Sequence, residues 1–290
     1  MKHNKLALFC ACFLGINLFC IPIANAQKIS SPVSQQNYTR QEFLLNLSKA
    51  NVIYLGETHT SEADHKAQLE IIQQLYEKKR KIAIAMEMFQ RPYQSAIDRY
   101  LAGKITEQEL LTQTEYQQRW GFPWEYYAAI LRFAKENRLP VLAVNTPSEV
   151  TRKVARQGLE SLTPEDKKYI PSLSEIRTDN AQYRQMLLDI FNQHQKDGHG
   201  ASQSFERFFS AQVLWDETMA ETIAEFVKAN PNYTVIVLAG QGHLVYGYGI
   251  PSRVARRLGN SLVQKTILLN FDAELPLNKD QPIADFFWSN

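Results

Sequence analysis

Thiols are confined to one end of this chain. Its three cysteines, Cys10, Cys12 and Cys20, all fall within the first 26 residues. From Gln27 onward the absence of cysteine excludes a disulfide, a thiolate nucleophile and a Cys-ligated metal, so stability there must come from a core. An excess of one charge is lacking as well. Lysine and arginine number 32 against 30 acidic residues; without residues 1–26, which hold two lysines and no acid, 30 face 30, and nothing suggests a nucleic-acid partner. No Gly-x-Ser-x-Gly elbow supports a serine nucleophile, and no compact two-histidine helix motif supports a zinc protease. No Gly/Ser/Pro linker or internal repeat divides the sequence, so residues 27–290, about 264 in number, read as one domain.

The first 26 residues read as a targeting segment. Lys2, His3 and Lys5 precede an apolar run from Leu6 to Phe19, and Ala24-Asn25-Ala26 offers a small-x-small cleavage site before Gln27. The expectation is an exported, periplasmic protein. The run is short for a membrane span, which makes a retained anchor the lesser alternative. Cys20 is not preceded by the small residues that a lipid-modified cysteine requires, since Leu18-Phe19 stands before it, and Phe9 stands three residues before Cys12.

What is present is a pair of Gly-x-x-His tetrads almost at opposite ends of the chain, Gly56-Glu57-Thr58-His59 and Gly240-Gln241-Gly242-His243. Each closes a short β-branched, apolar run, Val52-Ile53-Tyr54-Leu55 and Val235-Ile236-Val237-Leu238-Ala239, of the kind that forms strands buried on both faces. Two further runs behave alike: 81–86 ends at Glu87 and 141–144 ends at Asn145. In a parallel sheet covered by helices, ligands bind beyond the carboxyl ends of the strands. Glu57, His59, Glu87, Asn145 and His243 would then share one rim.

Between these strands the spacing predicts helices over 41–50, from Glu62 onward, up to Asn137, and over 148–157, 178–195, 204–229 and 252–258, with a helical insertion over 92–118. A fifth strand is expected near 264–270, a polar lead over 27–38, and an edge strand in the tail at 284–288. The alternation implies an α/β fold of three layers, α/β/α, with a mainly parallel sheet. His65 falls on the buried stripe of the helix after Glu62. Gln212 and Asp216 read as a polar helix flank, the aromatic set Trp120, Phe122, Trp124, Tyr126 and Tyr127 as core, with the lining of a flat ligand's pocket as the alternative, and His194 and His199 as an exposed turn.

Two imidazoles and two carboxylates on one rim leave three chemistries open: holding a divalent metal, passing protons as general acid and base, or orienting the carboxylates and iron of a bound ligand. The turn after His243 adds Tyr246 and Tyr248 among glycines, and tyrosinate is a ligand of haem iron.

Tyr54-Leu55-Gly56-Glu57-Thr58-His59 with His65 and Gln68, Met86-Glu87-Met88-Phe89, and Gly240-Gln241-Gly242-His243 with Tyr248-Gly249-Ile250-Pro251 form a set spread over nearly the whole mature chain. The set resembles the ChaN-like family of iron-regulated haem-binding proteins, within a wider group that includes Tiki-type metalloproteases and erythromycin-esterase-like hydrolases. The resemblance implies the three-layer fold, export, and haem held by a homodimer with tyrosine ligation and His and Lys contacts to the propionates. It also implies a role in haem or iron uptake beside an outer-membrane or periplasmic transport partner. On this reading the cofactor contacts are His59, His65, Tyr246 and Tyr248, the tyrosines being assigned from their nearness to His243. The alternative is a metal-dependent esterase or protease with Glu57, His59, Glu87 and His243 around a divalent metal and His59, Glu87 and His243 as catalytic groups. The missing lipidation motif departs from the family pattern and bears on anchoring alone.

Overall fold

The computed structural model describes residues 27–79, 81–196, 204–259, 262–271 and 281–289. The targeting segment and His199 lie outside the described residues. In chain order the elements are β1 (Lys28–Ser31), β2 (Gln36–Tyr38), α1 (Arg40–Leu47), β3 (Val52–Glu57), α2 (Glu62–Lys79), β4 (Ile82–Gln90), α3 (Gln94–Leu101), α4 (Glu107–Gln113), α5 (Tyr116–Arg119), α6 (Glu125–Glu136), β5 (Val141–Asn145), α7 (Ser148–Gln157), α8 (Ala181–Lys196), α9 (Phe205–Ala229), β6 (Thr234–Gly240), α10 (Ile250–Leu258), β7 (Gln264–Leu269) and β8 (Phe286–Ser289). The expected helical insertion is present as α3, α4 and α5.

The strands form one sheet in the order β2-β1-β8-β7-β3-β6-β4-β5. Pairing is parallel from β8 to β5, and antiparallel where β1 meets β8 and β2. Alternation along each strand divides the core into two faces. Ile53 and Leu55 join α1 to α6 on one side, while Val52 and Tyr54 join α7 to α10 on the other. Every residue of β3, β4 and β6 is buried, and each large apolar side chain so removed from water contributes about 1.5–3 kcal/mol.

Three details differ from the sequence reading. The polar lead contains β1 and β2, an antiparallel hairpin whose β2 is exposed and short, so that no apolar pattern marks it. The tail strand β8 is internal, because β1 covers its outer edge through Ile29↔Trp288. His194 lies within α8, not in a turn.

The sheet's connectivity positions the site. From β3 the chain crosses to β4, builds β5 outside it, returns to place β6 between β3 and β4, and then lays β7 on the far side of β3. The carboxyl ends of β3, β6 and β4 are therefore neighbours, with Glu57 in register with Gly240.

Candidate functional site

At the first tetrad β3 ends on Glu57 and α2 begins at Glu62, leaving a tight turn that must carry His59. Asp64, fully buried, pins that turn. It accepts from the Thr58 amide at 2.7 Å, from the Ser61 hydroxyl at 2.8 Å and from Asn270 Nδ2 at 2.7 Å. His59 Nδ1 then donates to Glu57 Oε1 at 2.8 Å, while its ring packs edge-on to Trp120 and tilted against Phe122, centroids 4.8 and 5.1 Å away. Glu57 also accepts from the Tyr127 hydroxyl at 2.6 Å and from Gln68 Nε2 at 2.7 Å. His65, stacked on Tyr126, donates from Nε2 to the His59 carbonyl at 3.2 Å and sets Nδ1 3.4 Å from Glu57 Oε2.

The second tetrad is anchored from a distance. His243 Nδ1 donates to Asp216 Oδ1 of α9 at 2.7 Å, and Asp216 Oδ2 accepts from the Tyr183 hydroxyl of α8 at 2.6 Å. Gln212, one helical turn before Asp216, places its amide nitrogen 3.0 Å from the same Nδ1. The opposite ring nitrogen, Nε2, is 3.4 Å from Glu87 Oε1. The other oxygen of Glu87 accepts from the Gly240 amide at 2.8 Å.

Glu87 stands inside β4, not beyond its end. The register of β4 against β5 slips between Met86 and Gln90, a bulge that re-aims side chains and frees backbone groups. Asn145, expected at the rim, satisfies one of those groups: its Nδ2 donates to the Glu87 carbonyl at 2.8 Å. Gly240 is required by close approach, since a Cβ there would sit 3.0 Å from His59 Cε1 and Nε2 and 3.8 Å from Glu87 Oε2. His59 and Glu87 thus flank the backbone of the second tetrad.

The charges follow from this geometry. Burial pushes the Glu57 carboxyl up, but the hydrogen bonds of His59 and His65, the charge of His65 and the Tyr127 hydroxyl outweigh it and hold it down to about 2. Glu87 behaves likewise: burial opposes ionisation, and His243, His59 and the Gly240 amide keep it below the usual carboxylate range. For His243 burial favours the neutral ring, yet the Glu87 charge and the Asp216 hydrogen bond raise it to about 10. His59 and His65 are raised against burial by Glu57, and His59 by Glu87 as well. Tyr127 and Tyr183 are pushed far up by burial and by the carboxylates to which they donate, so both remain phenols.

The structure therefore gathers Glu57, His59, His65, Glu87 and His243. Each imidazole of the tetrads is held at Nδ1 by a buried carboxylate, the arrangement that orients the ring; Nε2 of His243 is taken up by Glu87. Among the described residues no three His, Cys, Asp or Glu side chains are arranged to hold a metal ion. Both Glu57 oxygens are engaged by His59, Tyr127 and Gln68. Tyr246 and Tyr248 are buried in the second core, stacked on each other at 5.3 Å, with Tyr248 beside Tyr183. Tyr246 takes a left-handed backbone conformation, φ 57°.

Sequence reasoning missed Tyr183, read Asp216 as part of a polar helix flank, and read Tyr127 as core or the lining of a flat ligand's pocket, not as a partner of Glu57. A signal existed for Asp216: the run Asp216-Glu217-Thr218 separates the apolar stretch Val213-Leu214-Trp215 from Met219-Ala220, and in the structure all three polar residues are fully buried.

A family model described as haem-binding uptake, Tiki superfamily, ChaN matches residues 43–254. Among solved structures the chain is similar to ChaN of Campylobacter jejuni, described as binding haem cofacially: TM-score 0.69, 20% identity, 91% of this chain and 97% of that one. At that identity the likeness shows the fold. An open-form mutant of the erythromycin esterase EreC is more distant, with TM-score 0.47 and 15% identity over 90% of this chain and 81% of that one. The chloroplastic protein RETICULATA-RELATED 5 of Arabidopsis thaliana is 27% identical over 262 residues, 85% of this chain, which spans 34% of the plant protein's length. With the family model spanning residues 43–254 of 290, this chain belongs to the ChaN family of haem-binding uptake proteins in the Tiki superfamily.

Proposed function

We propose that this chain binds haem at the rim built around His59, and that it does so as an exported protein of haem or iron uptake. The observation that carries the reading is the state of His59. Its Nδ1 is fixed by Glu57, its ring is walled by Trp120 and Phe122, and its side chain remains 29% exposed, whereas that of His243 is 9% exposed. An oriented imidazole beside flat apolar walls suits a porphyrin.

The donor set fits haem through histidine better than through tyrosine. Tyr127 and Tyr183 are committed as donors to buried carboxylates, and Tyr246 and Tyr248 are packed against each other. His59 would hold the iron, with Trp120 and Phe122 covering the ring; when bound, haem supplies iron as cargo or as a redox centre. Glu57 orients the imidazole, His65 holds the His59 carbonyl, and Asp64 fixes the turn. We extend to this chain the cofacial haem binding of the Campylobacter relative, with two copies each offering one rim and a transport partner receiving the haem. Export rests on residues 1–26. Titrating the protein with hemin at micromolar concentration should give a saturable Soret shift. A spectrum that remains the sum of its components contradicts the reading.

A second reading, a hydrolase, is favoured by one observation: both imidazoles are anchored at Nδ1 and flank Glu87, as acid–base chemistry requires. It expects Glu87→Gln to abolish turnover of an activated ester. Equal hydrolysis by wild type and variant sinks it.

A further inference from the structure

Behind His243, on the far side of Asp216, lies a cavity of about 180 Å³ lined by Arg177, Asp179, Asn180, Glu217, Ser252, Arg253 and Arg256. Its floor is a buried carboxylate with an excess of cations. Glu217 is fully buried and meets three guanidinium groups: Arg253 at 3.3 Å, Arg256 at 2.8 Å and Arg257 at 2.6 Å. One carboxylate cannot fill so many N–H donors. Arg253, itself 4% exposed, keeps an Nε–H with no hydrogen-bond acceptor although Glu217 lies close, and buried Nη2 of Arg257 has none either. Arg177, which also lines the cavity, lends its backbone amide to Glu217 and its carbonyl to Arg253.

We propose that this cavity is an oxyanion site that takes a phosphate-class dianion. Three of the lining residues, Arg177, Arg253 and Arg256, carry guanidinium groups, whose forks match tetrahedral oxygens, and Asn180 and Ser252 add neutral polar groups to the lining. Around the cavity Arg177, Arg253, Arg256 and Arg257 outnumber Glu175, Asp179 and Glu217. Asp179 opposes an anion and sets the affinity lower than the arginines alone would give. The cavity communicates with the candidate site through shared elements: Arg253 donates to the Tyr248 and Gly249 carbonyls and lies over the Tyr183 ring, whose hydroxyl holds Asp216. It is separate from the rim of His59 and does not depend on haem binding.

Calorimetric titration of the full chain with inorganic phosphate, against sodium chloride at equal ionic strength, tests the proposal. Saturable binding of one phosphate per chain is expected. It should weaken at least about tenfold in Arg177→Gln and in Arg256→Gln, the loss of roughly one charge-assisted hydrogen bond each, and tighten in Asp179→Asn. Arg177 is exposed, so its replacement keeps the fold; thermal unfolding of each variant without phosphate verifies this. No binding beyond that of chloride, or wild-type affinity in a folded Arg177→Gln, overturns the proposal.

Discussion

The two Gly-x-x-His tetrads share a spacing and differ in construction. His59 is held by Glu57, two residues before it at the end of β3, against an aromatic wall and partly open to solvent. His243 is held by Asp216, 27 residues away on α9, and is sealed with Glu87 at its other nitrogen. A local anchor leaves its imidazole at the surface, where a ligand can reach it. Asp216, from a helix packed on the sheet face, holds the other in the interior as a positive charge between two carboxylates. The tetrads mark where imidazoles sit, and their partners decide what each one does.

The largest effect expected from this contrast is on stability. Asp216→Ala leaves a buried charged imidazole and the Tyr183 hydroxyl without their acceptor and should cost about 3–5 kcal/mol in urea unfolding. His59→Ala, which leaves Glu57 with Tyr127, Gln68 and His65, should cost about 1 kcal/mol. Equal costs would erase the distinction between sealed and open halves.

Acid and base should separate the halves next. Glu57 is lowered from 4.5 to about 2, so its contribution is present above pH 4.5 and lost as pH falls through about 2. His243 is raised from 6.5 to about 10, so its contribution is complete below pH 6.5 and lost as pH rises through about 10. Each group changes stability by at most about 1.4 kcal/mol per pH unit within its window. Unfolding midpoints recorded across pH should thus fall on the acid side in wild type but less in Glu57→Gln, and on the alkaline side in wild type but less in His243→Asn. A profile unchanged by either substitution contradicts the assignment.

Within the second tetrad the glycines should differ. Gly240→Ala drives a Cβ against the His59 ring and should cost about 1–3 kcal/mol and weaken hemin binding. Gly242→Ala meets nothing within 4 Å and should shift stability by less than about 0.5 kcal/mol. Matching losses at both would mean that the tetrad matters as a turn and not as a cradle for His59.

The sequence made the parallel core and the meeting of the tetrads legible, because uninterrupted apolar runs closed by glycine identify strands buried on both faces. It made Glu87 legible as a rim residue but not as a member of β4, since a bulge leaves no mark in composition. The roles of Asp216 and Tyr183 escaped because they arise from helices packed on one face of the sheet, a matter of tertiary contact and not of spacing. Tyr246 and Tyr248 show the converse: near His243 in the chain, they are buried in the core, Tyr246 itself in a left-handed conformation. The hairpin of β1 and β2 escaped because exposed edge strands carry no apolar alternation.

The central claim is that His59 is the open imidazole and His243 the sealed one. Hemin titration of His59→Ala beside His243→Asn, followed at the Soret band at neutral pH, tests it most directly. The response should disappear in His59→Ala and survive in His243→Asn, which keeps a donor for Asp216. A saturable response of wild-type size in His59→Ala, or its loss in His243→Asn alone, would contradict it.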